Sequence, residues 1–166
     1  GLNNGIFTAT PASVALTAGA FPITGTINSY TILSGIPTTV TIGAAGTYPT
    51  LTGVGGLFAA INTNGLSGNT VATILDATIA ENGANALNAI SSGCSGSYTL
   101  TIKPATGVSP VLSGSNATAL VNLSGANSVI IDGSNNGTSS KNLTISNTST
   151  GGSTLLLNNG ASNNMI

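Results

Sequence analysis

The sequence predicts an all-β chain wound as a parallel β-helix, a solenoid of stacked coils. Three observations point there. Apolar residues recur in pairs two positions apart, as on one side of a strand. Small uncharged polar residues fill the positions between them. One stretch of the chain matches another at a fixed offset, which signals a repeated structural unit.

Composition supports the same architecture. Of 166 residues, 25 are Thr, 20 Ser, 20 Asn and 23 Gly, so wet strand faces and tight corners can be built without charge. Charged residues are 3%, against roughly 25% in ordinary soluble domains. A nucleic-acid surface is excluded, because phosphate binding needs clustered Lys and Arg. A heptad coiled coil is excluded for want of Glu and Lys. With five charged side chains and no His, most general acid–base chemistry is hard to assemble. At 40% hydrophobic residues the chain can bury a core, and no apolar run is long enough for a membrane span. The beginning, Gly1-Leu2-Asn3-Asn4, lacks the charged and apolar regions of a signal peptide. A formal charge of −1 leaves solubility to hydroxyls and amides, which suits an extracellular, polymer-like surface.

Residues 1–37 carry short β-prone stretches, Ile6-Phe7-Thr8, Ser13 to Thr17 and Tyr30 to Leu33, punctuated by Pro11, Pro22 and Pro37. They read as an extended or short-strand segment, or the tail of a preceding module. Residues 38–98 read as an N-terminal cap. Thr39-Val40-Thr41-Ile42 alternates like a half-buried strand. Leu57, Phe58 and Ile61 give a short helix near 56–62, stopped by Asn64-Gly65. Thr70 to Leu75 reads as a strand. Asp76 to Gly96 reads mostly as loop, with a helical turn over Ala86 to Ile90. Cys94, the single cysteine, reads as a small loop residue and allows no internal disulfide.

Residues 99–166 read as the coils. Leu100 and Ile102, Val121 and Leu123, Val129 and Ile131, Leu143 and Ile145, and Leu155 and Leu157 are inward pairs, with Thr101, Asn122 and Thr144 facing out. Gly, Asn and Ser turns separate them. Residues 118–131 match residues 153–166 at an offset of 35, aligning Leu120 with Leu155, Gly125 with Gly160, Ala126 with Ala161 and Ile131 with Ile166. Stacked coils explain this pattern: inward side chains form apolar columns, corners take Gly and Asn, and stacked like charges would repel. A β-sandwich is the alternative, but it calls for hairpin turns, of which few are present. The chain stops at Asn164-Met165-Ile166 inside an expected strand, so the coils read as truncated at the C-terminal end, a piece of a longer protein.

Candidate chemistry is sparse. Asp132, in Ile131-Asp132-Gly133-Ser134, is expected to close an Asx-type turn, since one carboxylate makes a poor calcium site. Asp76 and Glu81 are expected on a solvated loop. Lys103-Pro104 is expected to end a strand, and Lys141 to precede Asn142-Leu143 on a loop. Gly53 to Gly56 fits a cap turn and lacks the full phosphate-loop pattern. Five Asn-x-Ser/Thr sequons begin at Asn116, Asn122, Asn136, Asn142 and Asn147, as expected by chance in so Asn-rich a chain. Catalytic residues, cofactor sites and metal sites are all expected to be absent.

Several stretches carry a family resemblance: Thr101 to Ala105, Leu123 to Gly137, Asn142 to Asn147 and Ala161 to Asn164, with Tyr48 to Leu51 and Gly56 to Asn62 in the cap. Over residues 38–166 the chain resembles right-handed parallel β-helix domains of large bacterial secreted and cell-surface proteins, including type IX secretion cargo and adhesins. The resemblance implies an extracellular, non-enzymatic structural or adhesive segment. It implies partners among extracellular polysaccharides or other surfaces, the secretion machinery and further domains of the same chain. Two alternatives remain, a carbohydrate-binding module attached to a polysaccharide-active enzyme and a filament-forming subunit. The wider fold includes pectate-lyase-like enzymes, but none of their catalytic positions maps onto Lys103, Lys141, Asp76, Glu81 or Asp132.

Overall fold

Alternation in Thr39-Val40-Thr41-Ile42 places Val40 and Ile42 on one side, and both are buried in the computed structural model, which describes residues 35–90 and 97–166. The strands read within residues 1–34, and Cys94, lie outside the described residues. In chain order the elements are β1 (Thr39–Ile42), α1 (Leu57–Asn64), β2 (Thr70–Ile74), β3 (Thr78–Ala80), β4 (Leu100–Pro104), β5 (Val111–Gly114), β6 (Ala119–Ser124), β7 (Val129–Ile131), β8 (Thr144–Asn147) and β9 (Ser153–Asn158).

Among the described residues every strand pairing is parallel, which is a solenoid's arrangement and not a β-sandwich's. One sheet runs β1-β2-β4-β7, a second β3-β5-β8 and a third β6-β9. Successive coils stack strand on strand within these sheets, giving a parallel β-solenoid of about four turns. The register turns inward residues into columns. Val40, Ala72, Ile102 and Ile131 form one, and Ile42, Ile74 and Pro104 another. Ile79, Leu112 and Ile145 line the second sheet. Leu87, Leu123 and Leu157 line the third. Each fully buried Leu or Ile contributes about 1.5–3 kcal/mol of transfer free energy, which is what orders such short strands.

The cap follows from its sequence. Leu57, Phe58 and Ile61 all fall on the buried face of α1, and Gly65 closes its C-terminus by donating to the Ile61 carbonyl. Thr50 and Leu51 carbonyls accept the N–H groups of Leu57 and Phe58. The helix stands where later coils place a third-sheet strand. Asn62 Nδ2 donates to the Ala86 carbonyl at 2.8 Å and its Oδ1 accepts from Asn88 N at 2.9 Å.

Four expectations need correction. The segment expected as a helical turn at Ala86 to Ile90 is extended, and Leu87 makes a parallel bridge to Leu123. Coil stacking overrides the local helix preference there. β3 lies inside the stretch read as loop, because a three-residue strand with one buried residue, Ile79, leaves no periodic signal. β5 was equally silent for the same reason, since only Leu112 is buried. Finally, the offset of 35 holds for the turn and the following strand, where Ile130 pairs with Met165, but not for β6 and β9. There Val121 pairs with Leu155, an offset of 34, so Leu120 does not align with Leu155. The extra residue enters at the turn after β9, where Asn159 has φ 51°. Gly125 and Gly160 nonetheless occupy equivalent corners, both at φ 80°, a conformation that excludes most side chains.

The corner between the first and second sheets lengthens along the stack. It holds residues 75–77 after β2, residues 105–110 after β4 and residues 132–143 after β7.

Candidate functional site

The longest corner builds the main surface feature. After β7, Asp132 Oδ1 accepts from Ser134 N at 2.8 Å, the Asx turn expected there. This aims the buried Ser134 hydroxyl inward, where it donates to Asn136 Oδ1 at 2.9 Å and lies 3.0 Å from Ser140 Oγ. Asn135 Nδ2 donates to the Val108 carbonyl at 2.9 Å, and Asn142 Nδ2 to Ser109 Oγ at 3.1 Å. The corner is thus stitched onto the coil before it.

Between this corner and β4 lies a hollow of about 460 Å³, lined by Thr73, Lys103, Pro104, Ala105, Thr106 and Ser134 to Gly137. Thr41, Thr73 and Lys103 succeed one another along an outward row. The Lys103 ammonium makes no ion pair or hydrogen bond among the described residues. The hollow therefore offers hydroxyls, amides and one unpaired ammonium group, a set that can hydrogen-bond sugar hydroxyls or pair with an anion.

The other two carboxylates, Glu81 and Asp76, do not line this hollow. Glu81 was expected on a solvated loop, yet it is 4% exposed. Its Oε1 accepts from Leu51 N at 2.6 Å, and its Oε2 from Thr52 N at 2.8 Å and from the Thr52 hydroxyl. The same hydroxyl accepts from Gly83 N at 3.0 Å, and Asn85 Nδ2 donates to the Thr52 and Gly53 carbonyls. Charge-assisted bonds from three donors compensate the burial of the carboxylate. A side chain at Gly114 would collide with the Glu81 carbonyl oxygen, so this crossing admits only glycine. Asp76 Oδ2 accepts from Ala44 N at 2.6 Å and ties down the turn after β1, so it too is more than a solvated residue. Lys103 stands one residue from the end of β4, as expected, and Lys141 is exposed on the long corner. Lys141 borders a second hollow of about 380 Å³ with Ile131, Leu143, Ile145 and Ile166. Among the described residues, no three of His, Cys, Asp and Glu are grouped to hold a metal ion. Burial raises the Tyr48 phenol above its ordinary range.

Sequence reasoning missed the asparagine ladders. Asn116 Nδ2 donates to the Asn82 and Gly83 carbonyls one coil back, and Asn116 N donates to Asn147 Oδ1 one coil on. Asn147 Nδ2 returns a bond to the Asn116 carbonyl at 2.8 Å. Residue spacings of 34 and 31 in the sequence were the available signal, hidden by the abundance of Asn.

No family model, curated protein or solved structure matches this chain. Among the described residues no helix is long and apolar enough to cross a membrane.

Proposed function

We propose that the chain is a non-enzymatic structural and adhesive segment of an exported surface protein. The observation that carries this reading concerns the acids. The chain has three carboxylates, and each holds a turn: Asp76 at Ala44, Glu81 at Leu51 and Thr52, Asp132 at Ser134. The carboxylate oxygens that make these contacts are taken up in holding backbone N–H groups of the fold. What faces outward on the strands is mainly hydroxyl and amide, with Thr39, Thr101, Thr78 and Thr144 at outward positions. Such a surface suits contact with hydrated polymers. The resemblance to secreted β-helix domains points the same way and carries the expectation of an extracellular, bacterial setting with type IX secretion.

A second reading, a carbohydrate-binding module, is favoured by the hollow beside Lys103. Glycan-array binding by the full chain, together with its retention on immobilised polysaccharide or cell-wall surfaces, separates the two. Broad, weak retention supports the adhesive segment. Selective binding to one glycan, lost in Lys103→Met, supports the module. Depolymerisation of any polysaccharide by the purified chain, abolished by Asp132→Asn or Lys103→Met, overturns both.

A further inference from the structure

We propose that Asn136 is a self-processing site, at which the folded corner assists spontaneous deamidation. The chain holds five Asn–Gly pairs, beginning at Asn4, Asn64, Asn82, Asn136 and Asn159. Asn4 lies outside the described residues. The pair is reactive because a glycine N–H has no flanking side chain to hinder attack on the preceding side-chain amide.

The structure separates the four remaining pairs. At Asn64 the Gly65 N–H is bonded to the Ile61 carbonyl, and the Asn64 amide nitrogen to the Ala60 carbonyl. At Asn82 the Gly83 N–H is bonded to Thr52 Oγ1. At Asn159 the amide nitrogen is bonded to Ser124 Oγ at 2.8 Å, and no donor reaches its carbonyl oxygen among the described residues. Asn136 is the one of these four pairs that leaves both the amide nitrogen and the following glycine N–H without a hydrogen bond. It is exposed, and neither its Nδ2 nor the Gly137 N–H donates a hydrogen bond among the described residues. Four donors converge on its Oδ1: Ser134 Oγ at 2.9 Å, Thr138 N at 3.0 Å, Thr138 Oγ1 at 2.7 Å and Ser140 Oγ at 2.9 Å.

That arrangement is an oxyanion hole built around a side-chain amide. The Gly137 nitrogen attacks Asn136 Cγ and loses its proton to water. The carbonyl oxygen then carries the developing negative charge among the four donors. Nδ2 takes up a proton from water and leaves as ammonia, and a five-membered imide forms. Water opens the ring at either carbonyl, giving aspartate or its isomer with the backbone routed through the side chain. The net change is amide plus water to carboxylic acid plus ammonia. Lys103 borders the same hollow as Asn136 and Gly137. Its ammonium favours both the oxyanion and the product carboxylate. Each event adds one negative charge to a chain whose formal net charge is −1, and it places that charge on the rim of the hollow.

The test is ageing of the folded full chain in warm neutral buffer. Peptide mapping by mass spectrometry and isoaspartate detection by enzymatic methylation give the readouts. Asn136 is expected to convert first, at least roughly tenfold faster than Asn82 or Asn159. Thr138→Val, on the exposed corner and outside the strand ladders, is expected to slow it about tenfold, less than the loss of an enzyme's oxyanion donor because the corner is wet. Lys103→Met is expected to slow it several-fold. Equal rates at Asn136 and Asn159 would show that exposure alone decides, and would overturn the proposal. So would an unchanged rate in both Thr138→Val and Ser140→Ala with the circular dichroism of the fold retained.

Discussion

Glu81 shows how one side chain can tie an irregular cap to a regular stack. Its two oxygens take the N–H groups of Leu51 and Thr52, which the cap loop would otherwise bury without partners. Glu81→Gln replaces one accepting oxygen with an amide that donates, and it sets donor against donor. We expect a loss of about 3 kcal/mol in stability, read by chemical denaturation. Asp132→Asn is the contrasting case. It keeps an Oδ1 for the Ser134 N–H at a partly exposed turn and is expected to change stability by less than about 0.5 kcal/mol. The Asp132 turn was legible in sequence because an Asx turn is local. The Glu81 clamp was not, because its partners lie 29 and 30 residues away and nothing nearby in sequence announces burial.

At the scale of elements, legibility tracked the number of inward residues. β2, β4, β6 and β7 each bury at least two positions in alternation; all four are legible as strands, and β4, β6 and β7 also show which face turns inward. β3 and β5 bury one apolar residue apiece and were invisible. Their order comes from parallel neighbours a whole coil away, which no local window contains. The same columns predict graded tolerance. Leu123 is fully buried between Leu87 and Leu157, whereas Leu157 is 44% exposed. Leu123→Ala is expected to cost about 3–5 kcal/mol, and Leu157→Ala no more than about 1–2. Thermal or urea unfolding of the two variants checks the order. Equal losses would mean that the column does not carry the core.

At the scale of the whole molecule, the near absence of charge is the governing property. Five ionisable acidic and basic residues leave little for salt to screen, and the carboxylates are held by backbone N–H groups and the Thr52 hydroxyl. The urea midpoint is therefore expected to stay the same within error between low and near-molar sodium chloride. A strong salt dependence would show surface electrostatics that the architecture does not provide. The solenoid itself was legible because outward and inward demands repeat along the chain. The function was much less so, because hydroxyl and amide faces serve many contacts and mark none.

The corner that grows from residues 75–77 to 105–110 to 132–143 has a further consequence. Each excursion leaves and rejoins the stack without shifting the columns, and the second sheet keeps a constant step of 33 residues throughout. Variation is thereby decoupled from the scaffold. Insertions at this one bend reshape the ground around Lys103 while the interior stays untouched, so new recognition surfaces can arise here at almost no thermodynamic penalty to the fold.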